Sequence, residues 1–292
     1  MLMAVKRNVQ KLHLEIGDYY DLAFELPRRL FNCKSLRKLE LVSAGVAEHR
    51  KIILPKSMCL PQLEALALVK LSISSVELEN LISSCPLLNQ LHMFKCDIQA
   101  GNQQNLVIDS PSLQTFALTD TPRSFRLEDC IVDNITKLSA PNLESFVFKG
   151  FMTQNYCLEN FSFLDTVSIN MRLGENETTE RYSTLLAEEK EVFAGRMMKY
   201  LGAFYNARIL ILSPGLMEVL SQAPDLLNCQ RLRFCNLRRI DLEMWFTSSS
   251  LHSLAYLFEI SPIISHLFLT SKKTRITEVG DNWEVGLSFP SL

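Results

Sequence analysis

Eight cysteines and five histidines are the side chains in this 292-residue sequence best suited to nucleophilic, acid–base or metal chemistry. The cysteines are Cys33, Cys59, Cys85, Cys96, Cys130, Cys157, Cys229 and Cys235. No two stand in a Cys-x-x-Cys spacing, and no histidine lies near them at a zinc-ligand interval. Several occupy apolar slots of a repeat, where a free thiol behaves as a small hydrophobe. The pattern therefore predicts inert thiols in a reducing compartment. The sequence contains none of Gly-x-Ser-x-Gly, Gly-x4-Gly-Lys, His-Glu-x-x-His or Gly-x-Gly-x-x-Gly. With ten glycines, no phosphate-cradling loop is visible. This reading expects no catalytic residue, no cofactor and no metal site.

What the polar residues do show is alternation with apolar ones. A frame of apolar-x-x-apolar-x-apolar appears as Val9-Leu12-Leu14, Leu36-Leu39-Leu41, Leu63-Leu66-Leu68, Leu88-Leu91-Met93 and Leu113-Phe116-Leu118. It continues as Leu143-Phe146-Phe148, Leu164-Val167-Ile169, Ala207-Leu210-Leu212, Leu237-Ile240-Leu242 and Ile264-Leu267-Leu269. Successive frames begin 27, 27, 25, 25, 30, 21, 43, 30 and 27 residues apart. Most of these spacings are close to the period of leucine-rich repeats. The copy from Leu88 through Leu91, Met93 and Cys96 to Ile98 nearly completes the motif. Two apolar residues two apart point to one face of a short strand, and only stacked neighbours can bury that face.

The expected fold is α/β: a leucine-rich-repeat solenoid, or horseshoe, with a curved parallel β-sheet and irregular convex helices. It spans residues 1–292 as one solenoid of about ten repeats, with an enlarged helical repeat at 174–206, and is expected to be incomplete at both ends.

Pro61, Pro86, Pro111, Pro141, Pro224, Pro262 and Pro290 stand two residues before a Leu or Ile, six of them where a frame begins or would begin. They read as punctuation that ends the preceding helix. Ser74 and Glu77 form a capping-box signature ahead of Leu78, Leu81, Ile82 and Cys85. Helical spacing also marks Leu216, Val219, Leu220 and Ala223; Leu251, Leu254, Ala255 and Phe258; and Phe193, Met197, Tyr200, Leu201 and Phe204. Stretches 43–59 and 97–112 lack such spacing and read as loops or short 3₁₀ turns.

Function then falls to the strand positions that point away from the core. The candidate partner-binding residues, on the concave face, are Lys11, His13, Lys38, Glu40, Gln90, His92, Phe94, Lys149, Arg239, Asp241, His266 and Phe268. Exposed aromatics such as Phe94 and Phe268 suit interface anchors. Net charge is −2 and charged residues make up 21%, which does not favour a nucleic-acid partner. No apolar run reaches the roughly 18 residues of a membrane helix. The expected setting is cytoplasmic or nuclear. A pocket for an inositol-phosphate-like ligand would need clustered bases, for which Arg28, Arg29, Lys34, Arg37 and Lys38 are the dense candidates; solvated surface is the expectation for them.

The phrases Arg7-Asn8-Val9-Gln10-Lys11-Leu12, Leu26-Pro27, Leu30-Phe31-Asn32-Cys33-Lys34-Ser35-Leu36, Ser84-Cys85-Pro86-Leu87-Leu88 and Ala140-Pro141-Asn142-Leu143-Glu144 resemble plant F-box/LRR proteins of the FBD or RNI-like group. The resemblance covers nearly the whole chain. It implies a likeness to the substrate receptors of SCF-type ubiquitin ligases, in which an F-box docks on a Skp-type adaptor and the repeats select a protein. Eight residues precede Val9, so adaptor docking is expected only if an F-box lies upstream. The alternative is a stand-alone interaction scaffold, or a truncated paralogue, with no link to a ligase.

Overall fold

The computed structural model describes residues 7–17, 23–45, 50–99, 106–119, 135–152, 155–159, 161–173, 182–221 and 232–272. The chain divides into two compact units, Met1–Leu164 and Asp165–Leu292.

The main sheet of the first unit is built from β1 (Lys11–Ile16), β3 (Lys38–Ser43), β5 (Ala65–Val69), β7 (Gln90–Phe94), β10 (Thr115–Thr119) and β12 (Ser145–Phe151). These strands lie in that order and every pair is parallel. Register follows the frame. Leu39 pairs with Leu66, Leu66 with Leu91, Leu91 with Phe116, and Phe116 with Phe146. All of these are at most 3% exposed. Fully burying one such side chain contributes about 1.5–3 kcal/mol.

Each strand is entered through the same backbone joint. The Gln10 carbonyl accepts from the N–H groups of Arg37 (2.7 Å) and Lys38 (2.9 Å). The Arg37, Glu64, Asn89 and Gln114 carbonyls do likewise for the two residues that open the following strand. Just before that joint stands a β-turn. The N–H groups of Leu63, Leu88, Leu113 and Leu143 reach back to the carbonyls of Leu60, Cys85, Ser110 and Ala140, at 3.0–3.2 Å. The intervening Pro61, Pro86, Pro111 and Pro141 occupy the second turn position, where a fixed φ is an asset. The prolines thus launch the next strand, a more specific task than ending a helix.

The other side of the first unit departs from expectation. Short parallel strands run there: β2 (Phe24–Glu25), β4 (Arg50–Ile53), β6 (Leu71–Ser74) and β8 (Asp97–Gln99) form one sheet, and β9 (Leu106–Asp109), β11 (Ile135–Ser139) and β13 (Asn155–Glu159) another; of these β4, β8 and β9 fall in the stretches 43–59 and 97–112 expected to be loops or 3₁₀ turns. The physical reason is cooperative. A three- or four-residue run has too little pattern to read alone, yet stacking at repeat spacing lets its N–H and C=O groups pair with the neighbouring copy. The change of direction between β5 and β6, and between β7 and β8, passes through Lys70 (φ 53°) and Lys95 (φ 49°). One helix here matches its sequence signal fully. In α1 (Ser75–Ser83) the Ser74 hydroxyl accepts from the Glu77 N–H, the Glu77 carboxylate returns to Ser74 N–H, and Leu78, Leu81 and Ile82 are buried.

The second unit carries β14 (Thr166–Arg172), β15 (Ile209–Leu212), β16 (Arg239–Met244) and β17 (His266–Ser271), again in order and parallel. The Asp165, Arg208 and Arg238 carbonyls repeat the paired-acceptor joint. Helices back it: α2 (Ala187–Ala203), α3 (Pro214–Ser221) and α4 (Ser248–Glu259). In α2 the expected face of Phe193, Met197, Tyr200 and Leu201 is buried, and Phe204 beyond it is too. Residues 174–181 of the enlarged repeat lie outside the described residues, as do Ala223, Pro224 and Pro290.

Two details are corrected here. The buried face of α4 is Ser250, Ser253, Leu254 and Leu257, not Leu251, Leu254, Ala255 and Phe258. Small serines let α3 and α4 approach, with Ser250 hydrogen-bonded to Thr247 and Glu218. In the last frame, Leu267 and Leu269 are 37% and 40% exposed instead of buried; among the described residues β17 pairs only with β16 in the main sheet. Among the described residues, no helix is long and apolar enough to cross a membrane.

Candidate interaction surface

Strand alternation puts the non-frame residues of each sheet on its solvent side. In the first unit they form ranks across the strands. Lys11, Lys38, Ala65, Gln90, Thr115 and Ser145 make the first rank; His13, Glu40, Ala67, His92, Ala117 and Val147 the second; and Glu15, Val42, Val69, Phe94, Thr119 and Lys149 the third. Of the residues selected from sequence, Lys11, His13, Lys38, Glu40, Gln90, His92 and Phe94 are exposed and Lys149 is half-buried. The alternation of small Ala67 and Ala117 with His92 leaves that imidazole standing between two shallow positions.

His13 is held between two carboxylates. Its Nδ1 lies 2.9 Å from Glu40 on β3 and its Nε2 3.2 Å from Glu15 on its own strand. The hydrogen bond to Glu40 first, then that to Glu15, raises its pKa above the ordinary 6.5. Two strands separate His13 from His92. The basic residues Arg28, Arg29, Lys34, Arg37 and Lys38 are all exposed, and Arg37 pairs with Glu64 at 3.3 Å.

In the second unit the second rank reads Ser168, Ile211, Asp241 and Phe268. Arg239 and Asp241 sit two apart on β16 and form a two-pronged pair: Nε donates to Oδ1 at 2.8 Å and Nη2 to Oδ2 at 2.7 Å. The same guanidinium lies 4.4 Å from the centre of the Phe268 ring, which is itself 50% exposed. Such a fork both stacks and pairs, which an ammonium cannot. His266, on the first rank beside Arg239, is exposed and shares a 2.9 Å hydrogen bond with Ser265 Oγ.

Sequence reasoning missed a hollow of about 350 Å³ on this face, bordered by Ser168, Asn170, Ile211, Asp241, Glu243 and Phe268. It arises from unequal strand lengths. β14 has seven residues and β16 and β17 six each, but β15 has four. After Leu212 the chain turns inward. Ser213 is buried, its hydroxyl exchanging hydrogen bonds with Met171 N–H and C=O at 3.1 Å, and Pro214 starts α3. The third rank therefore lacks a tooth between Asn170 and Glu243. The sequence signal was Ser213-Pro214, with proline at the favoured first helical position.

The thiols divide by location. Cys85 and Cys96 are buried, and burial pushes both up to about 11. The Cys96 thiol donates to the Leu68 carbonyl of the preceding repeat at 3.2 Å. Cys33 is also buried, whereas Cys59, Cys157 and Cys235 are exposed; all six are free.

A family model described as the leucine-rich repeats of FBD-associated F-box protein At5g56370 matches residues 2–162. Among curated proteins of Arabidopsis thaliana, F-box protein At4g09920 is 26% identical over 204 residues, covering 66% of this chain and 60% of that one. The putative FBD-associated F-box protein At1g55030 is 33% identical over 159 residues, 52% of this chain and 35% of its own. F-box/FBD/LRR-repeat protein At1g13780 is 23% identical over 283 residues, 92% of this chain and 57% of its own. The chain thus spans between about a third and three fifths of the length of these relatives. No solved structure matches it significantly.

Proposed function

From the premise that this chain belongs to the leucine-rich-repeat family of FBD-associated F-box proteins, we propose that it is a protein-interaction module, similar to the substrate-recognition repeats of an SCF-type ubiquitin ligase receptor. The partner is a protein, held on the solvent face of the main strands, which on this reading is the concave face of a horseshoe. Adaptor docking belongs to an F-box and not to these repeats.

The observation that carries the reading is the two-sidedness of the sheet. In the first unit the frame residues from Leu36 onward are buried while their alternates present cations, carboxylates, imidazoles and Phe94 to solvent. A face with a regular backbone and chemically diverse side chains suits recognition by complementarity, with aromatic and arginine anchors supplying most of the affinity.

The test is photo-crosslinking in plant extract with p-benzoylphenylalanine placed at His92, at Phe94 and, on the opposite side, at Lys51. Discrete protein adducts are expected from the first two positions and not from Lys51. The adducted protein, once identified and purified, should bind the chain and lose at least tenfold in affinity against His92→Asp with Phe94→Ala. Adducts that form equally from Lys51, or not at all, would refute the proposal.

A further inference from the structure

The hollow on the second unit has a chemistry of its own. One wall is Phe268, fixed by the stacked Arg239 guanidinium, and its floor includes Ile211, 37% exposed. Arg239 is already matched by Asp241 through both prongs. That leaves Glu243, on the third rank of β16, with no ion-pair partner among the described residues, so the hollow carries one uncompensated negative charge. Ser168 and Asn170 supply hydrogen-bonding groups on the far rim.

The dimensions select a ligand. From the Phe268 rank to the Glu243 rank is two residues along a strand, about 6.7 Å, close to the reach of a lysine's four-carbon stem. Across the missing tooth, β14 and β16 are two strand spacings apart, about 9.6 Å. A side chain with an apolar stem and a cationic head lays the stem on Phe268 and Ile211 and sets the head at Glu243. A carboxylate in the same place meets repulsion, and a purely apolar chain strands Glu243 beside it without compensation.

We propose that this hollow is a specificity subsite for a lysine or arginine side chain of the partner protein, presented on an extended segment. The proposal rests on the protein-interaction reading above and names the partner's chemistry at one point of the face.

The experiment uses the full chain and four capped seven-residue peptides, Ala-Ser-Ala-X-Ala-Ser-Ala, in which X is lysine, arginine, norleucine or glutamate. Saturation-transfer NMR reads peptide contact, and the Ile211 δ1-methyl resonance reports occupancy. The lysine and arginine peptides should give at least fivefold more transfer than the norleucine and glutamate peptides, strongest at the stem methylenes, and should shift Ile211. In Glu243→Gln, checked for native circular dichroism, the lysine signal should fall to the norleucine level; Glu191→Gln, exposed on α2 and off the strand face, should leave it unchanged.

Equal transfer from all four peptides, or full lysine binding by a folded Glu243→Gln chain, would overturn the subsite. The crosslinks at His92 and Phe94 separate the two readings. Adducts there without lysine binding defeat the subsite alone, and loss of both defeats the interaction face as well.

Discussion

Replacing Leu91 by alanine tests the repeat register at the middle of the first unit. Leu91 is 0% exposed on β7, in register with Leu66 on one side and Phe116 on the other. The change deletes three carbons, about 2.4 kcal/mol of lost transfer free energy at about 0.8 kcal/mol each. A residual cavity of about 50–80 Å³ adds about 1–2 kcal/mol at about 24 cal/mol per Å³. The expected loss is therefore about 3.5–4.5 kcal/mol. Its neighbour His92 faces solvent, and His92→Ala should change stability by no more than about 0.5 kcal/mol. Urea unfolding followed by far-UV circular dichroism measures both, with the slope compared to confirm that the same surface unfolds. A loss under 1 kcal/mol for Leu91→Ala, or similar losses for the two variants, would show that the alternation of faces has been assigned wrongly.

Three further outcomes are expected. Because His13 has a raised pKa when folded, its pairing with Glu40 and Glu15 stabilises β1 fully below pH 6.5, and that contribution disappears as pH rises through the folded value; NMR titration should show the His13 midpoint falling toward 6.5 in Glu40→Gln, and an unchanged midpoint would refute the assignment. A Cβ on Gly215 would collide with the Tyr182 hydroxyl and lie 2.6 Å from the Met171 carbonyl, so Gly215→Ala should cost about 1–3 kcal/mol by overpacking, and a neutral thermal melt would contradict that packing. Alkylation with iodoacetamide at pH 8, mapped by mass spectrometry, should label Cys59, Cys157 and Cys235 in the native chain while Cys85 and Cys96 wait for denaturant; rapid native labelling of Cys96 would place it outside the core.

The ten apolar triplets were legible because each is a strong local signal repeated in phase, and the last two positions of every one fall in a main strand. The capping box at Ser74 was legible for the same reason, being complete within four residues. The second set of strands was not. Arg50-Lys51-Ile52-Ile53 and Asp97-Ile98-Gln99 become strands through partners a whole repeat away, an interaction no short window contains. The α4 face was misread because buried serines look polar until Glu218 is seen against Ser250. On the candidate surface, alternation was enough to put Phe268, Arg239 and Asp241 on the solvent side of their strands. Their mutual fork and stack, and the hollow beside them, depended on strand lengths and on where Ser213 turns, which composition and period do not encode.

The paired-acceptor joint carries a consequence for how such a protein can change over time. At these joints peptide groups do the stitching, from Gln10 through Gln114 in one unit and from Asp165 through Arg238 in the other, with the Ser265 hydroxyl adding a hydrogen bond to the Arg238 carbonyl. Solvent-side side chains add ties of their own, His13 to Glu40, Thr119 to the Met93 carbonyl and Arg239 to the Phe268 ring, but none of these three makes the joint. Most residues that meet a partner can therefore be exchanged, like type set in a fixed frame, while the scaffold that displays them keeps its fastening. Selection for a new target and selection for folding then act on largely separate sets of positions.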